Sequence, residues 1–215
     1  MLRPGWTDLN PGVVLLVLAL GALTGCATVR NSPPAGAASA ATGEGPSPEL
    51  QATYAALLSR LKSSDPTALN DLEKFSAAHP DLAGPLLNLG LARARAGDEA
   101  AARDYYERAT KVCSRCGPAW NELGVLARQQ GRFADAEQAY LRAIELQPDH
   151  APAYYNLAVL YELYIPRPEL ALANYERYLQ MGGAAGANGD VEKWVADLRR
   201  RVGGTAKTAR TEGTT

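Results

Sequence analysis

The 215-residue chain is poor in the side chains that most enzyme chemistry requires. It has 3 cysteines and 2 histidines, and both histidines stand next to turn prolines, His79 by Pro80 and His150 by Pro148. They read as solvent-facing turn residues rather than bases. No G-x-S-x-G, no phosphate-binding glycine loop and no paired metal-ligand motif occurs. A catalytic site needs nucleophile, base and orienting group together. No such set is present, so neither an enzyme nor a small-molecule substrate is expected, and no cofactor or metal. Excess charge is missing as well. Against 22 Lys and Arg stand 23 Asp and Glu, which leaves no global field to favour nucleic acid or an anionic membrane surface. A membrane-spanning run is also lacking, because the apolar stretch from Val13 to Leu23 has only the length of a signal-peptide core.

The end of that stretch is informative. Leu23-Thr24-Gly25-Cys26 resembles the lipobox of bacterial lipoproteins, in which the cysteine is acylated and becomes the mature N-terminus. The resemblance implies a signal peptide over 1–25 and a palmitate-bearing membrane anchor at Cys26. Ala27, in place of Asp, implies delivery to the outer membrane with the protein facing the periplasm. Several acyl chains hold far more firmly than one. The remaining pair, Cys113 and Cys116, then lies outside the cytoplasm, where disulfides form and persist.

After Cys26, "ATVRNSPPAGAASAATGEGPSP" is small, Pro/Gly-rich and nearly free of large apolar groups. It cannot bury enough surface to offset its chain entropy, so 26–48 is expected to be a flexible tether reaching roughly 25 Å. The final "GGTAKTARTEGTT", 203–215, reads as a disordered tail in the same way. One domain remains, 49–202, long enough for a real core.

Self-similarity organises that domain. Trp120-x-x-Leu123-Gly124, Ala136-x-x-x-Tyr140, Ala143 and Pro148 resemble the tetratricopeptide repeat, whose period is 34 residues. Leu89-Gly90, Leu123-Gly124 and Leu157-Ala158 keep that spacing, and Ala102, Tyr106 and Ala109 recur as Ala136, Tyr140 and Ala143. Upstream, Ala68, Leu72 and Pro80 mark a degenerate unit. The units fall at 49–82, 83–116, 117–150 and about 151–185. The resemblance implies an all-α helix-turn-helix solenoid of about three to four repeats.

The same residues argue for this without the family. Trp120, Leu123, Gly124 and Ala127 form one apolar stripe, and Phe133, Ala136, Tyr140 and Ala143 a second. Gly124 and Ala136 are small enough for two helices to approach closely. Gly97 and Gly131 sit where a left-handed C-cap is wanted. A single pair cannot cover its own apolar face, so the units must stack.

The last unit departs from the pattern. Ala171 and Tyr175 come one residue late, Pro166 and Pro168 stiffen the turn, and Tyr178 stands where alanine is usual. This predicts a one-residue insertion and a bulkier contact to the next segment. That segment, "GDVEKWVADLRRRV", has Asp190 as a possible N-cap and Val191, Trp194, Val195, Leu198 and Val202 on one face. It suits a C-terminal capping helix. Arg199-Arg200-Arg201 fits a solvated basic face or, alternatively, a membrane-surface helix.

Cys113 and Cys116 fall in the turn between the second and third units. The neighbouring turns place Pro80 and Pro148 where this one has Ser114. A short disulfide would stiffen the turn as proline does. The alternative is redox activity, since Cys116 precedes Gly117-Pro118, a candidate helix N-terminus that lowers thiol pKa.

In tetratricopeptide domains the first helix of each pair lines a concave groove. Carried over by register, that face comprises Leu87, Asn88, Leu91 and Arg95, then Asn121, Glu122, Val125 and Arg128, then Tyr155, Asn156, Val159 and Glu162. Asn, small apolar and isolated charged residues suit an extended peptide or a partner helix. The expected function is a non-enzymatic protein-binding adaptor. The layout resembles small lipoproteins of this family that help assemble type IV pilus secretins or recruit cell-wall enzymes. Service to a proton-driven trans-envelope complex fits equally, and the alternative is a periplasmic thiol-disulfide redox protein using Cys113 and Cys116.

Overall fold

The computed structural model describes residues 47–183 and 190–212, with 205–212 as backbone only. Cys26 and the tether lie outside the described residues. The helices are α1 (Pro48–Lys62), α2 (Ala68–Ala78), α3 (Ala83–Arg95), α4 (Glu99–Val112), α5 (Gly117–Gln129), α6 (Phe133–Leu146), α7 (Ala151–Leu163), α8 (Pro168–Gln180) and α9 (Asp190–Glu212). Among the described residues there is no strand, and the expected all-α helix-turn-helix solenoid is the architecture. No described helix is long and apolar enough to cross a membrane. Contacts divide the chain into two compact units, Met1–Tyr105 and Tyr106–Thr215, the boundary falling inside α4.

The first unit is built on Tyr54, Leu57 and Leu58 of α1, Leu72 and Phe75 of α2, and Leu89 of α3. Helix α1 starts where Leu50 N–H finds Ser47 Oγ at 3.2 Å, with Pro48 in the first turn. Pro48 thus belongs to the helix and not to the tether expected over 26–48, because its missing N–H is one that no helix start can satisfy anyway. Tyr54 and Phe75 stack with ring centroids 5.6 Å apart.

In the second unit the predicted series is buried throughout. Ala136, Tyr140 and Ala143 of α6 have 0% exposure, and Ala171 and Tyr175 of α8 are equally covered. A Cβ on Gly124 would come 2.5 Å from the Tyr140 ring, so glycine there is what allows α5 and α6 their approach. The late arrival of Ala171 and Tyr175 stems from the turn. There Ile165 N–H reaches Leu160 O and Arg167 N–H reaches Tyr161 O, both at 2.9 Å, before Pro168 opens α8. Tyr178 supplies the predicted bulk: its ring lies 5.2 Å from that of Tyr155 and presses against Gly183.

The ends of α1, α3 and α5 share one device. Gly97 and Gly131 have φ +79° and +73°. Each closes a paired C-terminal motif, with Gly97 N–H on Ala94 O and Asp98 N–H on Arg93 O, and likewise Gly131 on Arg128 and Arg132 on Ala127. The same motif ends α1, but its left-handed position holds Ser64, φ 58°, which the sequence did not announce. Arg60 and Asp65 brace it. Arg60 Nε donates to Asp65 Oδ2 at 2.7 Å and Arg60 Nη2 to Asp71 Oδ2 at 2.9 Å, while Asp65 Oδ1 accepts from Thr67 N–H at 2.8 Å.

The C-terminal helix caps the second unit through Val191, Val195 and Leu198, all buried. Asp190 opens α9 and its Oδ1 accepts from Lys193 Nζ at 2.9 Å. The helix continues past Val202 to Glu212, into the segment expected as coil. Extending a formed helix needs only one residue fixed per new bond, and Ala, Lys and Arg in "TAKTARTE" are good formers.

Candidate functional site

Each expected binding residue has a definite place in the fold. Leu87, Asn88 and Leu91 of α3 are buried, whereas Arg95 at the end of that helix is exposed. Asn88 Nδ2 donates to Tyr54 Oη at 2.6 Å and to Gly84 O at 3.1 Å. The buried Tyr54 hydroxyl is pushed well above its ordinary pKa by desolvation, which the Asn88 bond partly offsets. These residues therefore hold α3 to α1 instead of facing a ligand.

On α5, Asn121 and Arg128 are buried, while Glu122 and Val125 are half-buried. Asn121 Nδ2 donates to Glu122 Oε1 at 3.0 Å, and Asn121 Oδ1 accepts from Asn156 Nδ2 of α7 at 2.9 Å. Arg128, expected as a groove cation, stacks 5.7 Å from the Tyr164 ring centroid and donates through Nε to Tyr140 Oη at 3.2 Å. Its flat guanidinium suits that double duty. Burial raises Tyr140 to about 12, so the phenol stays protonated.

On α7, Asn156 and Val159 are buried, and Tyr155 is half-buried against Tyr178 and Trp194. Glu162 keeps only 2% of its side chain exposed; Oε2 accepts from Tyr175 Oη at 3.1 Å and Oε1 lies 3.7 Å from Arg201 Nη1. The expected face is thus largely internal. Within the first unit α3 meets α1 through Asn88 and Tyr54, and within the second α7 meets α5 through Asn156 and Asn121, so a register position that reads as groove is often a seam. Arg95, Glu122, Val125 and Tyr155 are the members that retain exposed surface.

Two further expectations change. His150 is not solvent-facing: it is 5% exposed as the residue preceding α7, and burial lowers its pKa to about 4, leaving it neutral. His79 is partly covered, its ring 4.7 Å from Phe75. The Arg199-Arg200-Arg201 run is tied down within the fold, to Glu176, to Asp197, and to Glu162 with Asp197. The three side chains nevertheless keep 62%, 77% and 50% of their surface exposed, so the run is a solvated basic face.

The turn between α4 and α5 joins Cys113 to Cys116 in a disulfide, with Cα atoms 5.3 Å apart. Cys116 is the N-cap of α5, and neither sulfur is fully exposed. Among the described residues no three His, Cys, Asp or Glu side chains gather as a metal site.

Sequence reasoning missed one surface. Leu163, Tyr164 and Leu170 are 47%, 38% and 43% exposed around the α7–α8 turn. The inserted residue and Pro166 and Pro168 marked the turn in the sequence but not the exposure of the apolar side chains around it.

Family models described as tetratricopeptide repeat match residues 54–119, 117–150 and 139–192. Among solved structures, pilF of Pseudomonas aeruginosa superposes with a TM-score of 0.60 at 22% identity, covering 71% of this chain and 68% of that one. MamA does so with a TM-score of 0.50 at 20% identity, covering 70% and 96%. Identities this low bear on fold alone. No curated protein matches the sequence.

Proposed function

Since the chain belongs to the tetratricopeptide repeat family, we propose that it is a non-enzymatic adaptor, held at the outer membrane by acylated Cys26 and facing the periplasm, that gathers protein partners for a cell-envelope machine. The observation that carries the reading is the 34-residue recurrence of buried Ala and Tyr positions. It builds stacked helix pairs, the architecture that an interaction scaffold uses. The machines that fit are a type IV pilus secretin, wall synthesis, or a proton-driven trans-envelope complex.

A second reading, thiol-disulfide exchange, draws on Cys116 at the α5 N-terminus, a position that favours a thiolate. One comparison separates the two. Tagged full-length protein is recovered from solubilised membranes as wild type, as Arg95→Glu, and as Cys113→Ala with Cys116→Ala. Partners lost only from the charge-reversed variant support the adaptor, and loss only from the cysteine variant supports exchange chemistry. The asparagines of α5 and α7 are unsuitable for this purpose, since removing either leaves a buried amide unsatisfied. Placement is tested separately by Cys26→Ser, which is expected to release the protein from the membrane fraction; unchanged membrane association would overturn the anchor.

A further inference from the structure

Cys113 and Cys116 belong to the ends of two different helices. Cys113 follows α4 directly and closes its last turn, its N–H donating to Ala109 O at 3.1 Å. Cys116 is the N-cap of α5, and its O accepts from Trp120 N–H at 3.3 Å. The Cys116 side chain forms no capping hydrogen bond, so the partial positive charge of that helix start is not neutralised by its own N-cap. The surroundings are open and basic. Both cysteines are half-buried, and Val112, Ser114 and Arg115 beside them are exposed. Between Glu107 and Glu122 the sequence has three cations, Arg108, Lys111 and Arg115, and no acid. Neighbouring cations favour thiolates over thiols and so ease reduction of the bond.

The two sulfurs are not equivalent. The carbonyl end of α4 disfavours negative charge on Cys113, whereas the N–H end of α5 favours it on Cys116, and both fields act within one turn. Once the bond is broken, each sulfur stays attached to its own helix end. A disulfide opens fastest when the sulfur that leaves belongs to the more acidic thiol. Attack from outside is therefore directed to Cys113, with Cys116 as the leaving group.

We propose that the Cys113–Cys116 bond is a directional redox switch, opened by a dithiol reductant that attacks Cys113 and releases Cys116 as the thiolate. In the first step a reductant thiolate bonds to Cys113 Sγ, and the electron pair of the broken S–S bond passes to Cys116 Sγ. A mixed disulfide on Cys113 results. The second reductant thiolate then attacks its partner sulfur in that mixed disulfide and expels Cys113. Two reductant thiols thus become one disulfide, and the protein gains two electrons. Of the two thiol protons, one ends on Cys113 and the other in solvent while Cys116 stays ionised. Opening frees the turn beside Gly117, which packs so near the end of α6 that a Cβ there would stand 2.8 Å from Gln147 Cβ. The start of α5 is therefore the part that loosens. The proposal rests on the thiol-disulfide reading and fixes the order of its steps; the adaptor reading stands or falls apart from it.

The test uses the full-length oxidised chain with reduced glutathione as the probe at pH 7, quenched by acid and then N-ethylmaleimide. Trypsin cuts after Arg115 and places the two cysteines on separate peptides for mass spectrometry. The glutathione adduct is expected on Cys113 in preference to Cys116 by at least about threefold. Where reduction runs through without a trapped adduct, alkylation decides. In the fully reduced chain, limiting iodoacetamide is expected to modify Cys116 at least about threefold faster than Cys113. A pKa gap of about one unit gives that ratio, because nucleophilicity falls as pKa falls. Hydrogen exchange reads the consequence: the amides of Ala119, Trp120 and Asn121 are expected to exchange at least about threefold faster after reduction. A bond that glutathione leaves intact overturns the proposal together with the exchange reading. An adduct mainly on Cys116, or equal alkylation of the two thiols, overturns the direction and leaves exchange standing. Unchanged protection at the start of α5 removes the switch.

Discussion

Tyr140 and Tyr175 are large, fully buried side chains, and a ring of that size needs a small residue on the helix opposite. Gly124 is that residue for Tyr140, and Gly124→Ala is expected to cost about 1–3 kcal/mol in urea unfolding, because the ring has no free side to move toward. His150 is a residue whose burial has a pH signature. Its folded pKa, about 4, lies below the ordinary 6.5, so between those values the unfolded chain binds a proton that the folded chain does not. Stability therefore falls as pH drops from 7 to 4, by up to about 3 kcal/mol, and His150→Gln is expected to flatten that slope. The carboxylates of Asp65, Asp71 and Asp197 are held below 3.8 chiefly by hydrogen bonds from arginine. Their contribution is present above that value and is lost only at lower pH, which keeps the two effects apart. The small-and-large pattern could be read from sequence because it is written in residue size. The fates of Asn121, Arg128 and His150 could not. A polar residue on a groove register looks the same whether it meets solvent or a neighbouring helix, and Asn121 finds Asn156 one place off the repeat.

At the scale of helices and turns, the most visible punctuation was glycine. Gly97 and Gly131 take the left-handed position that the C-terminal motif demands, while Ser64 occupies the corresponding place after α1 at φ 58°. An L-residue is disfavoured there, so Ser64→Gly is expected to raise stability by up to about 1 kcal/mol in the same unfolding assay. A left-handed serine leaves no mark in a sequence; only the Asp65 and Thr67 bonds that brace it are suggestive afterwards. The turn before α5 uses a disulfide where its neighbours use Pro80 and Pro148. The loop closed is very short, so chain entropy assigns the bond only about 2 kcal/mol. Reduction is expected to lower the melting temperature by several degrees without a change in helical circular dichroism at 25 °C. A melt that does not respond to reductant would show that the turn is fixed by its helices alone. Helix α9 was legible as a cap because its apolar residues fall on one face. Its continuation to Glu212 was not, since Gly203-Gly204 reads as a stop although a formed helix can run through it.

For the molecule as a whole, the period of the apolar pattern was enough to give the all-α fold class, with the number of repeats left at three to four. The boundary between exposed face and internal seam was beyond its reach, because that depends on which neighbour each helix finally meets. Of the residues carried over by register, Arg95 in the first unit and Glu122, Val125 and Tyr155 in the second keep exposed surface, and the unforeseen apolar turn of the second unit exposes Leu163, Tyr164 and Leu170. The opposite choice, the outer side of the second helices, is represented by Leu141, which is 47% exposed on α6. In-cell photo-crosslinking decides between them most directly, with a photoreactive residue placed singly at Arg95, Glu122 or Leu141 of the full-length chain. The adaptor account predicts discrete protein adducts from positions 95 and 122 and none from 141. Adducts from 141 alone, with 95 and 122 silent, would contradict it.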